Sequence, residues 1–161
     1  MQKIKINIAS QTLYLLDEHG DLIKHYSVST AKNGVGEMKG SYQTPRGKHY
    51  IRAKIGAEQP VNSVFVGRRP TGEVFNAELG AAFPDRDWIL TRILWLCGCE
   101  PGINRMGNVD TMRRYIYIHG SPDQAEMGVP GSHGCIRMQN EDVVDLFNRV
   151  EAGTPVEIVE S

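Results

Sequence analysis

Cys135 stands in "GSHGCIRM" (residues 131–138), with histidine and glycine just before it and arginine two positions after it. A cysteine packed into a core has apolar neighbours. This one is set among polar residues and glycines, where a thiol does chemistry. The attacking species is the thiolate, so the site needs a group that takes or stabilises the proton, and imidazole is the usual one. Two histidines qualify. His133 lies two residues before Cys135, on the same side of an extended chain. His119 ends the stretch "RRYIYIHG" (residues 113–120), and "GSPDQAEMGVPGS" (residues 120–132) can fold back to bring the two segments together. A base on a strand is better pre-organised than one on the nucleophile's own loop. His119 is therefore the expected base, with His133 shaping or tuning the site. Gly134 lets a substrate carbonyl approach the backbone and lets N–H groups near Cys135 act as oxyanion donors. Arg137 offers a guanidinium suited to a substrate carboxylate.

Each of these residues also has a plainer reading. A lone cysteine is usually inert packing, and Arg137 could form a surface ion pair of little worth. Zinc competes for His119, His133 and Cys135, although no fourth ligand is apparent and a three-ligand catalytic site would need a separate base. Cys97 and Cys99 form a C-x-C among apolar residues in "LWLCGCEPG" (residues 94–102) and read as structural free thiols. His19, His25 and His49 fall on a turn and on strands and also read as structural.

The elements that must position the cysteine and histidine are mostly strands. Isoleucine at 4, 6 and 8 alternates with Lys3, Lys5 and Asn7, the pattern of a half-buried strand. "TLYLL", the turn "DEHGD" and "LIKHYSV" continue a hairpin series through residue 28. "STAKNGVGEMKGS" (residues 29–41) reads as a long exposed loop. "YQTPRGKHYIRAKI" opens on a proline turn and ends in a strand, and "SVFVGRRPTGEVF" reads as a hairpin turning through "RPTG". "WILTRILWLCG" (residues 88–98) fits a buried helix or a buried strand. "EPGINRMGNVDTM" is a loop, and "RRYIYIHG" is a strand. Its parity puts Tyr115, Tyr117 and His119 on one face and Ile116 and Ile118 on the other.

"NEDVVDLFNRVEAGTP" (residues 140–155) predicts a helix with Asn140 as N-cap and Glu141 and Asp142 at the positive end of its dipole. Val143, Leu146, Phe147 and Val150 face the core, and Gly153 and Pro155 stop the helix. A closing strand, "VEIVE", follows. The expectation is one mainly β domain over residues 1–161, with one helix near the C-terminus.

At 161 residues the chain is large enough to bury a core unaided. A net charge of −1 leaves no basic footprint for nucleic acid or an anionic membrane. No apolar run reaches the roughly 18 residues of a membrane span. The first residues carry no apolar signal region, so a cytoplasmic location is expected, and a periplasmic one would require a leader ahead of residue 1.

At these residues the sequence resembles the L,D-transpeptidase catalytic domain (YkuD) family over nearly the whole chain. "YIYIHG" followed by "SHGCIRM" resembles the family's histidine strand and S-H-G-C loop. "GSYQTPRGKHYI" (residues 40–51) resembles its T-P-x-G element, and "YSVSTAKNG" (residues 26–34) the stretch before that. The resemblance implies a β-sandwich-like fold with the nucleophile in a cleft. It implies Cys135 as nucleophile, His119 as general base, and Gly120 as the residue whose carbonyl orients that histidine. Ser132, His133 and Gly134 match the signature loop. Arg137 stands where family members vary between asparagine and arginine, close to substrate. The implied substrates are peptidoglycan stem peptides, without cofactor or metal. Cys135 would attack the L-centre carbonyl of the third residue, D-alanine would leave, and a thioacyl-enzyme would remain. Water then gives an L,D-carboxypeptidase and an amine gives a transpeptidase. The leaderless start favours a cytosolic carboxypeptidase trimming tetrapeptides for murein recycling. The alternatives are a periplasmic crosslinking transpeptidase and a non-catalytic muropeptide- or metal-binding module.

Overall fold

Alternation at the N-terminus starts the sheet. In strand β1 (Lys3–Asn7) Ile4 and Ile6 are fully buried, and Leu13 and Leu15 repeat the pattern in β2 (Thr12–Leu16). A computed structural model describes all 161 residues. The remaining strands are β3 (Leu22–Ser27), β4 (Gly47–Ile55), β5 (Ser63–Val66), β6 (Arg69–Val74), β7 (Ile89–Gly98), β8 (Tyr117–Gly120), β9 (Ile136–Met138) and β10 (Pro155–Val159). Helices α1 (Ala77–Ala82) and α2 (Asn140–Arg149) complete the regular structure.

The strands form one mixed ten-stranded sheet in the order β3-β2-β1-β10-β4-β7-β5-β6, with β8 on β7 and β9 on β8. Two pairings are parallel, β1 with β10 and β8 with β9. The second of these places the segments carrying His119 and Cys135 side by side. The main core joins Ile4, Ile6, Leu13 and Leu15 to Ile118, Ile136 and Met138 and to Val143, Leu146 and Phe147 of α2. A smaller cluster of Phe65, Ile93 and Tyr117 lies against Cys135. The mainly β architecture with a helix near the C-terminus is thus as expected, and the ambiguous stretch from residue 88 is strand β7.

Several local expectations are corrected. The β5–β6 hairpin turns at Gly67 and Arg68, not through "RPTG". Both central residues have positive φ, 57° and 65°, which matches the right-handed twist of the flanking strands. Helix α1 was not anticipated, although its cap is readable in sequence: the Leu79 N–H donates to Asn76 Oδ1 at 2.8 Å.

Gln139, not Asn140, is the N-cap of α2. Asn140 is the first helical residue and is buried, its amide taken up by Thr91 of β7 and by Asn62 in the turn before β5. The helix ends at Arg149, before Gly153, and Val150 is buried as its C-cap. Strand β8 starts only at Tyr117, because Tyr115 has φ 57° and breaks the extended run. The face assignment survives: Ile116 and Ile118 join the main core, while Tyr117 joins the cluster beside Cys135.

Candidate active site

The parallel register pairs Ile118 with Ile136 and His119 with Arg137. Ile118, Ile136 and Met138 face the main core, so Tyr117, His119, Cys135 and Arg137 share the opposite face. The sulfur is met there by backbone groups: the Tyr117 N–H donates to Cys135 Sγ at 3.2 Å, and the thiol points to the Tyr115 carbonyl at 3.4 Å. His119 is buried, with Nδ1 2.6 Å from the Gly120 carbonyl. A carbonyl only accepts, so Nδ1 carries the proton and Nε2 keeps its lone pair. Nε2 is buried without a hydrogen-bond partner, one of only two such side-chain atoms in the molecule.

The loop that carries the cysteine is held in place by residues expected to be solvent-exposed. Ser29, Thr30 and Ala31 are buried. The N–H groups of Gly131 and Ser132 both donate to the Thr30 carbonyl at 2.9 Å, and Ser29 exchanges backbone hydrogen bonds with Arg137. Thr44, inside the T-P-x-G element, donates to the Gly134 carbonyl at 2.9 Å and accepts from the Ala31 N–H. Ser132 Oγ closes the loop on itself, donating to the Cys135 carbonyl at 2.5 Å and accepting from the Gly134 N–H at 3.1 Å. The Gly134 N–H is therefore engaged, whereas the N–H of Cys135 makes no hydrogen bond within the protein. Gly134 itself has φ 133°, and a Cβ there would lie 3.2 Å from Ile116 Cδ1 and 3.3 Å from the Gln43 carbonyl oxygen.

His133 and Arg137 lie at the rim. The His133 side chain is exposed, with Nδ1 3.9 Å from Asp87 Oδ2 and its ring edge-on to Tyr42. Arg137 Nη2 lies 3.4 Å from Asp87 Oδ1. One carboxylate thus faces both His133, expected to tune the site, and Arg137, expected to contact substrate. No group of three histidine, cysteine or acidic side chains is arranged to hold a metal ion. Cys97 is buried and Cys99 is exposed, both remote from these residues in the sheet and both free thiols.

Burial sets the electrostatics. It pushes the Cys135 thiol up to about 12, against the Tyr117 N–H, and the Asp87 charge pushes the same way. Burial holds His119 below its ordinary value, against the Gly120 hydrogen bond. At neutral pH the pair rests as neutral thiol and neutral imidazole.

A family model, the L,D-transpeptidase catalytic domain (YkuD), matches residues 1–158. The chain belongs to this family. The curated protein "Probable L,D-transpeptidase YbiS" of Escherichia coli K12 is 40% identical over 47 residues, which is 29% of this chain and 15% of that protein. "Probable L,D-transpeptidase ErfK/SrfK" of Salmonella typhimurium gives the same identity and the same coverage. The chain thus matches only a small part of these curated relatives. Among solved structures, L,D-transpeptidase 3 from Mycobacterium tuberculosis superposes with TM-score 0.60 at 16% identity, over 99% of this chain and 61% of that one. The L,D-transpeptidase LdtMt1 in complex with imipenem gives TM-score 0.58 at 19% identity, over 98% and 58%. These likenesses establish a shared fold.

In this YkuD domain Cys135 lines a cleft of about 480 Å³ together with Arg68, Asp87, Tyr115, Tyr117 and His133. Sequence reasoning missed Asp87, Arg68, Thr44 and Arg114 as parts of the site. Arg114 braces it from behind, with Nη2 donating to the Gln43 carbonyl at 2.6 Å. Thr44 and Arg114 lay in stretches that the sequence singled out, the T-P-x-G element and "RRYIYIHG", but for other residues of those stretches.

Proposed function

We propose that the protein is a cysteine acyl transferase acting on peptidoglycan stem tetrapeptides. Cys135 is the nucleophile and His119 its general base. The supporting observation is the buried, unpartnered Nε2 of His119, on the sheet face it shares with Cys135, with its tautomer fixed by the Gly120 carbonyl.

The steps follow from the resting protonation states. As Sγ attacks the L-centre carbonyl carbon of the third residue, its proton passes to His119 Nε2 and the S–C bond forms. The Cys135 N–H, which has no partner in the fold, serves the oxyanion. Such a donor is worth about 2.7–4 kcal/mol of barrier. When the C–N bond breaks, imidazolium returns the proton to the departing amine of D-alanine. A thioester on Cys135 remains. Cys135 is partly buried and lines the cleft, which gives water a path to that thioester. We read water as the acceptor, which makes the activity an L,D-carboxypeptidase acting on soluble tetrapeptides in the cytoplasm. An amine acceptor on the same thioester would instead form a crosslink.

The test is intact-protein mass spectrometry with a defined tetrapeptide, with and without an amine acceptor. A thioacyl adduct on Cys135 and D-alanine release without acceptor support the reading. An adduct that turns over only when amine is present assigns a transpeptidase. Absence of any adduct, with D-alanine retained, overturns the acyl-transfer reading.

A further inference from the structure

Arg68 is a charged residue of the cleft that the proposed chemistry leaves without a task. It sits at the β5–β6 turn with φ 65°, a conformation that disfavours any side chain with a Cβ. Its guanidinium carbon lies 4.7 Å from the ring centroids of both Trp95 and Tyr115, and Nη1 donates to the Tyr117 hydroxyl at 3.0 Å. Stacking on two rings immobilises the guanidinium without neutralising it. Arg46, Arg86, Arg137 and Arg149 each face a carboxylate, and Arg68 faces none. Arg114, the other guanidinium of the cleft, is engaged with the Gly36 and Gln43 carbonyls and the Ser41 hydroxyl. Tyr117 links Arg68 to the sulfur: its hydroxyl holds the guanidinium while its N–H donates to Cys135 Sγ.

We infer that Arg68 is a specificity-determining residue that binds a carboxylate on the side chain of the third stem residue, selecting meso-diaminopimelate over L-lysine. The inference rests on the acyl transfer proposed above. If Cys135 attacks the carbonyl of the third residue, that residue's side chain starts from the adjacent carbon and runs in the cleft that Cys135 and Arg68 both line. A diaminopimelate side chain ends in a carboxylate-bearing centre, which a fixed guanidinium binds by paired N–H···O bonds. A lysine side chain ends in ammonium alone and offers no such pair. The ammonium, which diaminopimelate also carries, faces Arg68 and Asp87 alike in either ligand, so the carboxylate is what discriminates.

The experiment uses two tetrapeptides that differ only in the third residue, assayed with wild type, Arg68→Gln and Arg68→Lys. The wild type should prefer the diaminopimelate peptide by about tenfold or more in kcat/KM, the worth of one charge-assisted hydrogen bond. Arg68→Gln should bring the ratio close to one by slowing the diaminopimelate peptide, and Arg68→Lys should keep part of it. Amidating the side-chain carboxylate should make the diaminopimelate peptide behave like the lysine one. A wild-type ratio near one, or a ratio unchanged in Arg68→Gln, overturns the inference. So does an Arg68→Gln effect that vanishes when the peptide ends in D-alaninamide, which would place the terminal carboxylate on Arg68. Calorimetric binding of both peptides to Cys135→Ala reads the same preference without turnover. Preference in binding with no turnover in the wild type sinks the acyl-transfer reading alone; equal binding sinks the role of Arg68.

Discussion

A thiol held at about 12 by burial is protonated at neutral pH, and the imidazole on the same sheet face is neutral as well. In the proposed acyl transfer the thiolate then forms during attack and is not stored beforehand. Alkylation of Cys135 by iodoacetamide, followed by mass spectrometry in a Cys99→Ser background, should therefore speed up about tenfold per pH unit from pH 7 to 10. A plateau below pH 8 would reveal a pre-formed thiolate–imidazolium pair and contradict the resting state described. Gly134 carries a second prediction at this scale. Alanine there meets both a disfavoured φ and the Gln43 carbonyl, whereas Gly128, at φ 87°, has open space around it. Gly128→Ala therefore isolates the backbone cost, about 1–2 kcal/mol. Gly134→Ala should cost more in urea unfolding and slow thioacyl formation at least tenfold, while Gly128→Ala should leave that rate intact. Equal rates in the two variants would deny Gly134 any steric role at the nucleophile.

Elements, more than single side chains, decide where these groups stand. The start of α2 shows how. Asn140 was expected to cap the helix from its exposed end. Its Oδ1 instead accepts from Thr91 Oγ1 at 2.6 Å, and its Nδ2 donates to Asn62 Oδ1 at 2.8 Å. It thereby ties α2 to an irregularity in β7, where Thr91 has φ 74° and the register with β8 shifts. Asn140 Oδ1 and the Leu90 carbonyl oxygen both lie too close to where a Gly120 Cβ would be, so the residue whose carbonyl meets His119 is limited to glycine by α2 and β7 together. Asn140→Ala should cost about 2–4 kcal/mol, because it leaves the buried Thr91 hydroxyl of β7 and the partly buried Asn62 amide without their partner. A loss near 1 kcal/mol in chemical denaturation, the worth of a simple N-cap, would refute that network. The sequence carried the helix, its buried stripe and its acidic first turn, since these follow from local periodicity. It could not distinguish cap from tether, because the tether's partners lie far along the chain, in β7 and in the turn before β5.

Across the whole molecule, buried histidines should make the fold acid-labile. His49 is buried on β4, between the Gly47 carbonyl and Thr111 Oγ1, and burial lowers it to about 4. The unfolded chain takes up that proton near pH 6.5, so between pH 6.5 and 4 the unfolded state binds more protons and stability falls as pH falls. This one residue should remove about 3 kcal/mol across that window, and His119 shifts in the same direction. Urea unfolding of wild type at pH 7 and pH 4 should show the loss, and His49→Gln should shrink it. Equal acid sensitivity in the variant would assign the lability elsewhere. No helix is long and apolar enough to cross a membrane.

The sequence by itself determined most of the strands, the helix near the C-terminus, and Cys135 and His119 as candidates, because two-residue and 3.6-residue periodicities and the glycine-flanked cysteine are local patterns; it left β7 open between helix and strand and did not anticipate β9. Tertiary structure alone decided who surrounds them. Thr44 reaches the Gly134 carbonyl across 90 residues of chain, Asp87 reaches Arg137 across 50, and Arg68 reaches Tyr117 across 49. These meetings depend on sheet order and register, which no single stretch encodes. The burial that pushes the Cys135 thiol up was decided the same way, since burial is a property of the assembled fold.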